Sequence, residues 1–252
     1  MNFLRHLIFI LLCWHSLPLH ASEQQTIDIA VGKAMKPFVL GNGRGILIDI
    51  LRESFAQSGI QIKFHFYSNE EAMSAFDEGR VDAVTVVKKG MVQGHFSEPY
   101  ITFHNYAIFM KDGSKVIEKV ADLANYRVIG FSGATRYLGP EFNQLVLSGL
   151  DYVEIVSQFD QVRALFEGQA EVAVMEKTIF QFFWKQLRNR NPDDIRYARP
   201  VSYSNLFIPN DYHIAFKTQK EKEIFNKGYR QLVDSGRIKL IYERYTRLLR
   251  TY

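Results

Sequence analysis

The feature that most restricts this chain is a strand–helix alternation that runs through it twice. Thr26–Val31 alternates apolar and polar residues with the two-residue period of a strand. Leu47, Ile50, Leu51, Ser54, Phe55 and Ser58 then mark one face of a helix, which Gly59 closes. Ile62–Tyr67 reads as a strand, Glu70–Glu78 as a helix and Val81–Val87 as a third strand. The rhythm resumes at Arg127–Phe131, Glu141–Ser148, Tyr152–Val156, Gln161–Glu167 and Val172–Met175. Strands separated by helices imply βαβ units and a mainly parallel sheet, which makes this an α/β chain. Helices close it: Ile224, Phe225, Gly228, Tyr229 and Leu232 share one face, and Ile238, Ile241, Tyr245 and Leu248 share another.

An internal echo ties the two runs together. Ala75-Phe76-Asp77-Glu78-Gly79-Arg80-Val81-Asp82-Ala83-Val84 resembles Ala164-Leu165-Phe166-Glu167-Gly168-Gln169-Ala170-Glu171-Val172-Ala173. Each is a helix end, a capping glycine, then an acidic residue leading into an apolar strand. Any αβ connection has some of these features, but two copies in two halves fit a protein of two similar lobes. The expected crossings between lobes are Phe103–Met110 and Tyr212–Phe216, both aromatic and extended. Two such strands would act as a hinge.

The N-terminus carries the pattern of an export signal. Arg5 stands in a region without acidic residues, Leu7 to Trp14 is uninterruptedly apolar, and Ala21 precedes Ser22. This predicts a signal peptide over residues 1–21, cleaved after Ala21. The apolar run is far short of the roughly 20 residues that span a bilayer. The single cysteine, Cys13, lies inside that run, so the exported chain would have no disulfide, thiolate nucleophile or cysteine metal site. The formal net charge of +4 changes only by the loss of Arg5. Charges are interspersed except at the basic end Arg237, Lys239, Arg244, Arg247 and Arg250, which reads as the solvated face of a terminal helix.

A set of markers along the mature chain resembles a known family. They are Lys36-Pro37-Phe38 after the first strand, Gly45 through Asp49 opening the first helix, and Gly79-Arg80-Val81-Asp82-Ala83. Phe96-Ser97-Glu98-Pro99-Tyr100 follows, then Asp122-Leu123 leading into Val128 to Thr135, then Gly168 to Glu176. Phe225-Asn226, Gly236 and Ile241 to Tyr245 complete the set. In order and spacing they resemble periplasmic solute-binding proteins of ATP-driven importers, of the polar amino-acid type called solute-binding family 3. The resemblance implies a two-lobed periplasmic-binding-protein-like fold around a cleft that closes on one small molecule. Lobe 1 would comprise residues 22–105 and 216–252, and lobe 2 residues 106–215. It also implies a monomer in the periplasm that binds a polar or charged solute and passes it unaltered to a membrane permease, without cofactor, metal or nucleic acid.

Candidate ligand-binding residues follow from both kinds of reading. Gly130-Phe131-Ser132-Gly133-Ala134-Thr135-Arg136 lies between a strand and a helix, where backbone amides and hydroxyls favour an anion. The resemblance implies a ligand carboxylate there, held by Ser132, Ala134, Thr135 and Arg136; a tight turn with a capping Ser or Thr is the plainer alternative. Glu176 ends a strand, where side chains open toward the crevice of an α/β sheet. The resemblance places it against a ligand ammonium, and a surface or capping glutamate is the alternative. Phe38 would wall the cleft or fill the core. Between Asp82 and Phe96 the chain departs from the family, being short and lacking the family's clamping arginine. Lys88 or Lys89 can supply a point charge there, but no bidentate fork. Met35 and Asn69 stand where many members carry aromatics.

Rival readings are an enzyme on the same fold, hydrolase or dehydratase-like, and a sensing module for a separate receptor. Gly130-Phe131-Ser132-Gly133-Ala134 approximates a nucleophile elbow with His213 downstream. His65, His95, His104 and His213 lack the short spacing of zinc ligands, and Gly41, Gly43 and Gly45 do not form a dinucleotide fingerprint.

Overall fold

The computed structural model describes residues 25–246 apart from 34 and 114, and of Asn69 the backbone alone. The predicted signal peptide with Cys13 and Ala21, and Leu248 of the last helix face, lie outside the described residues. The first lobe opens with β1 (Thr26–Gly32), α1 (Ile46–Phe55), β2 (Gln61–Tyr67), α2 (Asn69–Asp77) and β3 (Ala83–Val87). β4 (His95–Phe96) and β5 (Ile101–Phe103) follow, and β6 (Asn105–Met110) carries the chain into the second lobe. There come β7 (Val128–Phe131), α3 (Ala134–Tyr137), α4 (Pro140–Leu147), β8 (Tyr152–Ile155), α5 (Gln158–Phe166), β9 (Val172–Glu176), α6 (Lys177–Arg190) and β10 (Val201–Ser204). β11 (Asn210–Phe216) returns to the first lobe, followed by α7 (Gln219–Asp234) and α8 (Arg237–Thr246).

Each sheet has a parallel heart of three strands, β2-β1-β3 in one and β8-β7-β9 in the other. Antiparallel strands extend each heart where the chain crosses: β11, β4 and β5 in the first, β6 and β10 in the second. Both sheets are thus mixed, because a short crossing leaves no room for the helix that parallel pairing needs.

Both expected crossings need correction: residues 105–110 of Phe103–Met110 form β6, paired in the second sheet with β9 and β10, so the chain crosses at residue 104. Tyr212–Phe216 was expected to cross between lobes, with lobe 2 extending to residue 215. Residues 210–216 instead form β11, paired in the first sheet with β3, β4 and β5. The return crossing is residues 205–209. The aromatic, extended character of 212–216 came from pairing in mid-sheet, since an apolar strand flanked on both sides is buried on both faces.

The echo is real in three dimensions. Gly79 and Gly168 both have φ of 75°, the left-handed conformation that ends a helix with glycine. Beyond them, Asp82 accepts a hydrogen bond from Asp28 N at 2.8 Å, and Glu171 accepts one from Arg127 N at 3.1 Å. The acidic residue of each copy therefore ties the start of one parallel strand to its neighbour. α1 buries Ile46, Leu47, Ile48, Ile50, Leu51 and Phe55, six side chains each contributing about 1.5–3 kcal/mol of hydrophobic stabilisation.

The basic C-terminal end is not merely solvated. Arg237 pairs with Glu53 at 2.6 Å and Arg244 with Asp49 at 2.7 Å. The Tyr245 hydroxyl accepts from Gly45 N at 3.0 Å and donates to Asp49 Oδ2 at 2.7 Å. α8 is clasped onto α1.

Candidate functional site

The C-terminal ends of both parallel hearts carry the residues that meet where the lobes join. Lys88 follows β3. Its Nζ donates to Asn210 Oδ1 at 2.5 Å, and Asn210 Nδ2 donates to the carbonyl of Tyr137 at 3.0 Å. Asn210 opens β11 in the first lobe and Tyr137 ends α3 in the second, so this chain of hydrogen bonds spans the junction. The Lys88 ammonium also lies 5.4 Å from the Tyr137 ring and 5.7 Å from the Tyr212 ring, within the range of cation–π attraction. Among the described residues no carboxylate pairs with Lys88, and burial lowers its pKa. Two residues earlier Val86 adopts φ of 57°, a strained conformation for a β-branched side chain. Its N–H is satisfied by the buried Tyr100 hydroxyl at 3.3 Å.

Aromatic rings line the same junction. Phe38 is buried against Phe103 at 4.9 Å and Tyr242 at 6.3 Å. Phe103 meets Tyr212 at 5.1 Å, Tyr212 meets Tyr137 at 6.4 Å, and Tyr137 meets Phe131 at 6.3 Å. The series runs unbroken from α8 in the first lobe to β7 in the second. Phe38 is the most deeply buried link of this series, a core residue with 1% of its surface exposed.

The loop from Ser132 to Arg136 is arranged differently from a vacant anion site. Glu154 of β8 turns its carboxylate into it. Oε2 accepts from Gly133 N at 2.6 Å, and Oε1 accepts from Thr135 N at 3.2 Å, Thr135 Oγ1 at 3.3 Å and the Tyr152 hydroxyl at 3.0 Å. Burial works to raise the Glu154 pKa, but the hydrogen bonds outweigh it and hold the carboxyl below its usual range. Gly130 permits this: a Cβ there would lie 2.3 Å from the Tyr152 hydroxyl. Ala134 is wholly buried in the second lobe's core. Ser132 and Arg136 are exposed, and Arg136 faces Glu70 of the first lobe at 3.9 Å. An exposed pair at that distance contributes little.

Glu176 is 6% exposed at the end of β9 and caps α6, its Oε2 accepting from Ile179 N at 2.8 Å. Burial pushes its carboxyl up to about 7 against the opposing hydrogen bonds from Ile179 and Thr178. Met35 is buried and Lys89 exposed. For the hydrolase reading, His213 is buried in the first sheet with Nδ1 on the carbonyl of Ser97 at 2.7 Å, whereas Ser132 is exposed in the second lobe. A cavity of about 560 Å³ lies apart from the junction, beside α5 and β8. Of the charged residues along it, Arg163 and Asp160 pair with each other at 2.8 Å.

Asn210, Tyr137 and Glu154 are not marked as site residues by the sequence, and Tyr212 is marked only as part of an expected crossing. A signal for Glu154 was present: Tyr152 and Glu154 are two apart on one strand and so share a face.

Residues 27–247 match the profile of the bacterial extracellular solute-binding proteins, family 3. The chain belongs to this family. No curated protein matches it significantly in sequence. Solved structures show the same two-lobed fold at low identity. A histidine kinase sensor domain with similarity to periplasmic binding proteins is 19% identical with a TM-score of 0.68, covering 88% of this chain and 96% of that one. The GluR0 ligand-binding core in complex with L-glutamate is 18% identical with a TM-score of 0.70, covering 88% and 99%. An amino acid transporter substrate-binding protein, AbpA from Streptococcus pneumoniae, bound to L-arginine, is 19% identical with a TM-score of 0.65, covering 89% and 95%. Family 3 membership makes this an extracellular solute-binding protein by type, and the junction is the place in its fold where a solute would meet both lobes.

Proposed function

We propose that this family member binds one small polar or charged solute between its lobes, closes over it, and delivers it unaltered to the membrane permease of an ATP-driven importer. In this reading residues 1–21 direct export to the periplasm and are cleaved after Ala21, and the protein works as a monomer. The observation that carries it is the hydrogen-bonded path Lys88–Asn210–Tyr137, in which polar groups of the two lobes meet at the ends of their parallel strands. A ligand touching both sides favours the closed arrangement by its differential affinity for it. Lys88, Ser132, Thr135, Arg136 and Glu176 remain the proposed polar surroundings, with Phe38 and Ala134 behind them.

The test is a thermal-shift screen of small metabolites on the mature protein, followed by small-angle scattering with any compound that stabilises it. A ligand that binds only the folded chain raises the melting temperature with its concentration. Stabilisation with a smaller radius of gyration is the expected result; stabilisation without compaction overturns the closure mechanism.

Glu176 favours one second reading, an enzyme on the same fold. A buried carboxyl with its pKa at about 7 is poised to exchange a proton near neutrality. Mass spectrometry of the recovered ligand decides: an unaltered compound supports binding, and a converted one supports catalysis.

A further inference from the structure

Charge is distributed unevenly where the lobes meet. In the second lobe the groups that would take a zwitterion are already engaged. Glu154 occupies the amides of Gly133 and Thr135, and Glu176 is buried and turned to cap α6. Arg136 and Glu70 face each other in solvent. In the first lobe Lys88 is the opposite case. Its ammonium has three donors, yet its partners are a neutral amide and two ring faces, and among the described residues no carboxylate neutralises it. A partly buried cation without a counter-ion is costly, and an arriving anion recovers that cost. The strained Val86 lies in β3 two residues before Lys88, at the end of the strand where the chain leaves the sheet. Strain of this kind persists where surrounding structure holds a functional position in place.

Resting on the solute-binding reading above, we propose that the ligand is a small organic monoanion without an ammonium group. Its carboxylate takes the free donors of Lys88 beside Asn210, and its apolar or aromatic body lies against the Tyr137 ring. Lys88 is thus the specificity-determining residue. The filled loop at Gly133–Thr135 turns away a ligand that needs a second carboxylate cradle, and the engaged Glu176 offers nothing to a ligand cation.

The experiment measures melting temperature and calorimetric affinity of the mature protein with three sets of probes. These are organic monoanions (acetate, benzoate, 4-hydroxybenzoate, indole-3-acetate), the zwitterions L-glutamine and L-arginine, and the amine benzylamine, with sodium chloride as the ionic-strength control. The expected result is stabilisation by at least one monoanion, absent with the zwitterions, benzylamine and chloride. Lys88→Met should weaken that monoanion at least tenfold, while Lys88→Arg retains part of the affinity. Asn210→Asp gives the ammonium an internal counter-ion and should abolish the response without reliance on removing Lys88. Stabilisation by glutamine or arginine that persists in Lys88→Met overturns the proposal but leaves the solute-binding reading intact. Stabilisation by a monoanion unaffected by Lys88→Met and Asn210→Asp overturns the assignment to Lys88. Silence from every probe overturns this proposal, and the solute-binding reading falls only if the wider metabolite screen is silent too.

Discussion

Glu154 and Glu176 sit at the same end of the same sheet, and both accept backbone N–H groups, yet their acidities move in opposite directions. Glu154 is only partly buried and takes donors from Gly133, Thr135 and Tyr152, so its charged form is favoured. Glu176 is nearly inaccessible, and the donors from Ile179 and Thr178 do not offset its desolvation. The number of donors and the depth of burial, not position in the fold, decide which form wins. The difference matters for function: one carboxylate stays an internal anion, and the other exchanges between its charged and neutral forms near pH 7.

The largest expected effect tests Glu176. The folded chain binds its proton more tightly than an unfolded one, since the pKa rises from 4.5 to about 7. The stability this contributes is complete below pH 4.5 and is lost as pH rises through 7. At about 1.4 kcal/mol per unit the loss is on the order of 3 kcal/mol. Glu176→Gln keeps a capping oxygen without the charge. Between pH 5 and pH 8 the wild type should lose several degrees of melting temperature relative to this variant. Parallel pH profiles would show that burial does not govern Glu176.

Glu154→Ala should cost about 2 kcal/mol at pH 7, because the amides of Gly133 and Thr135 lose an ionised acceptor. Equilibrium urea denaturation measures it. The contribution should disappear below the carboxyl's lowered pKa, so the two proteins converge in acid. Gly130→Ala attacks the same network from beneath, forcing Tyr152 aside at a cost of about 1–2 kcal/mol. Combined with Glu154→Ala it should cost less than the sum of the two alone, a coupling that a double-mutant cycle reads directly. The smallest effect on folding belongs to Lys88→Met, less than about 1 kcal/mol, because a neutral hydrogen bond and weak ring contacts are lost.

Much of this fold was legible from periodicity. The strands at Thr26–Gly32, Gln61–Tyr67, Val128–Phe131, Tyr152–Ile155 and Val172–Glu176 lie within a residue or so of their expected bounds, because each pairs an apolar pattern with a turn signal. β11 was misread as a crossing because an extended aromatic strand looks the same whether it pairs or passes between sheets. The helix Lys177–Arg190 was missed: Ile179, Phe180, Phe183 and Leu187 form its buried stripe at helical spacing, but Phe182 and Trp184 interleave with them and blur the period. At the junction, Lys88 was named only as an alternative to Lys89, from the resemblance to a family that keeps a clamping arginine there. Its partners were not named, because Asn210 and Tyr137 lie 122 and 49 positions away and nothing local marks them as neighbours.

The first lobe's central sheet is completed only by β11, and α8 is fastened to α1 through Tyr245, Arg237 and Arg244. Residues 105–204 of the second lobe, by contrast, are continuous in sequence. During synthesis the middle of the chain can therefore acquire its sheet early, while the N-terminal third waits for the last forty residues. Contacts of such long sequence separation slow folding, so loss of even a short stretch at the C-terminus would leave an already assembled central unit attached to an unfinished one.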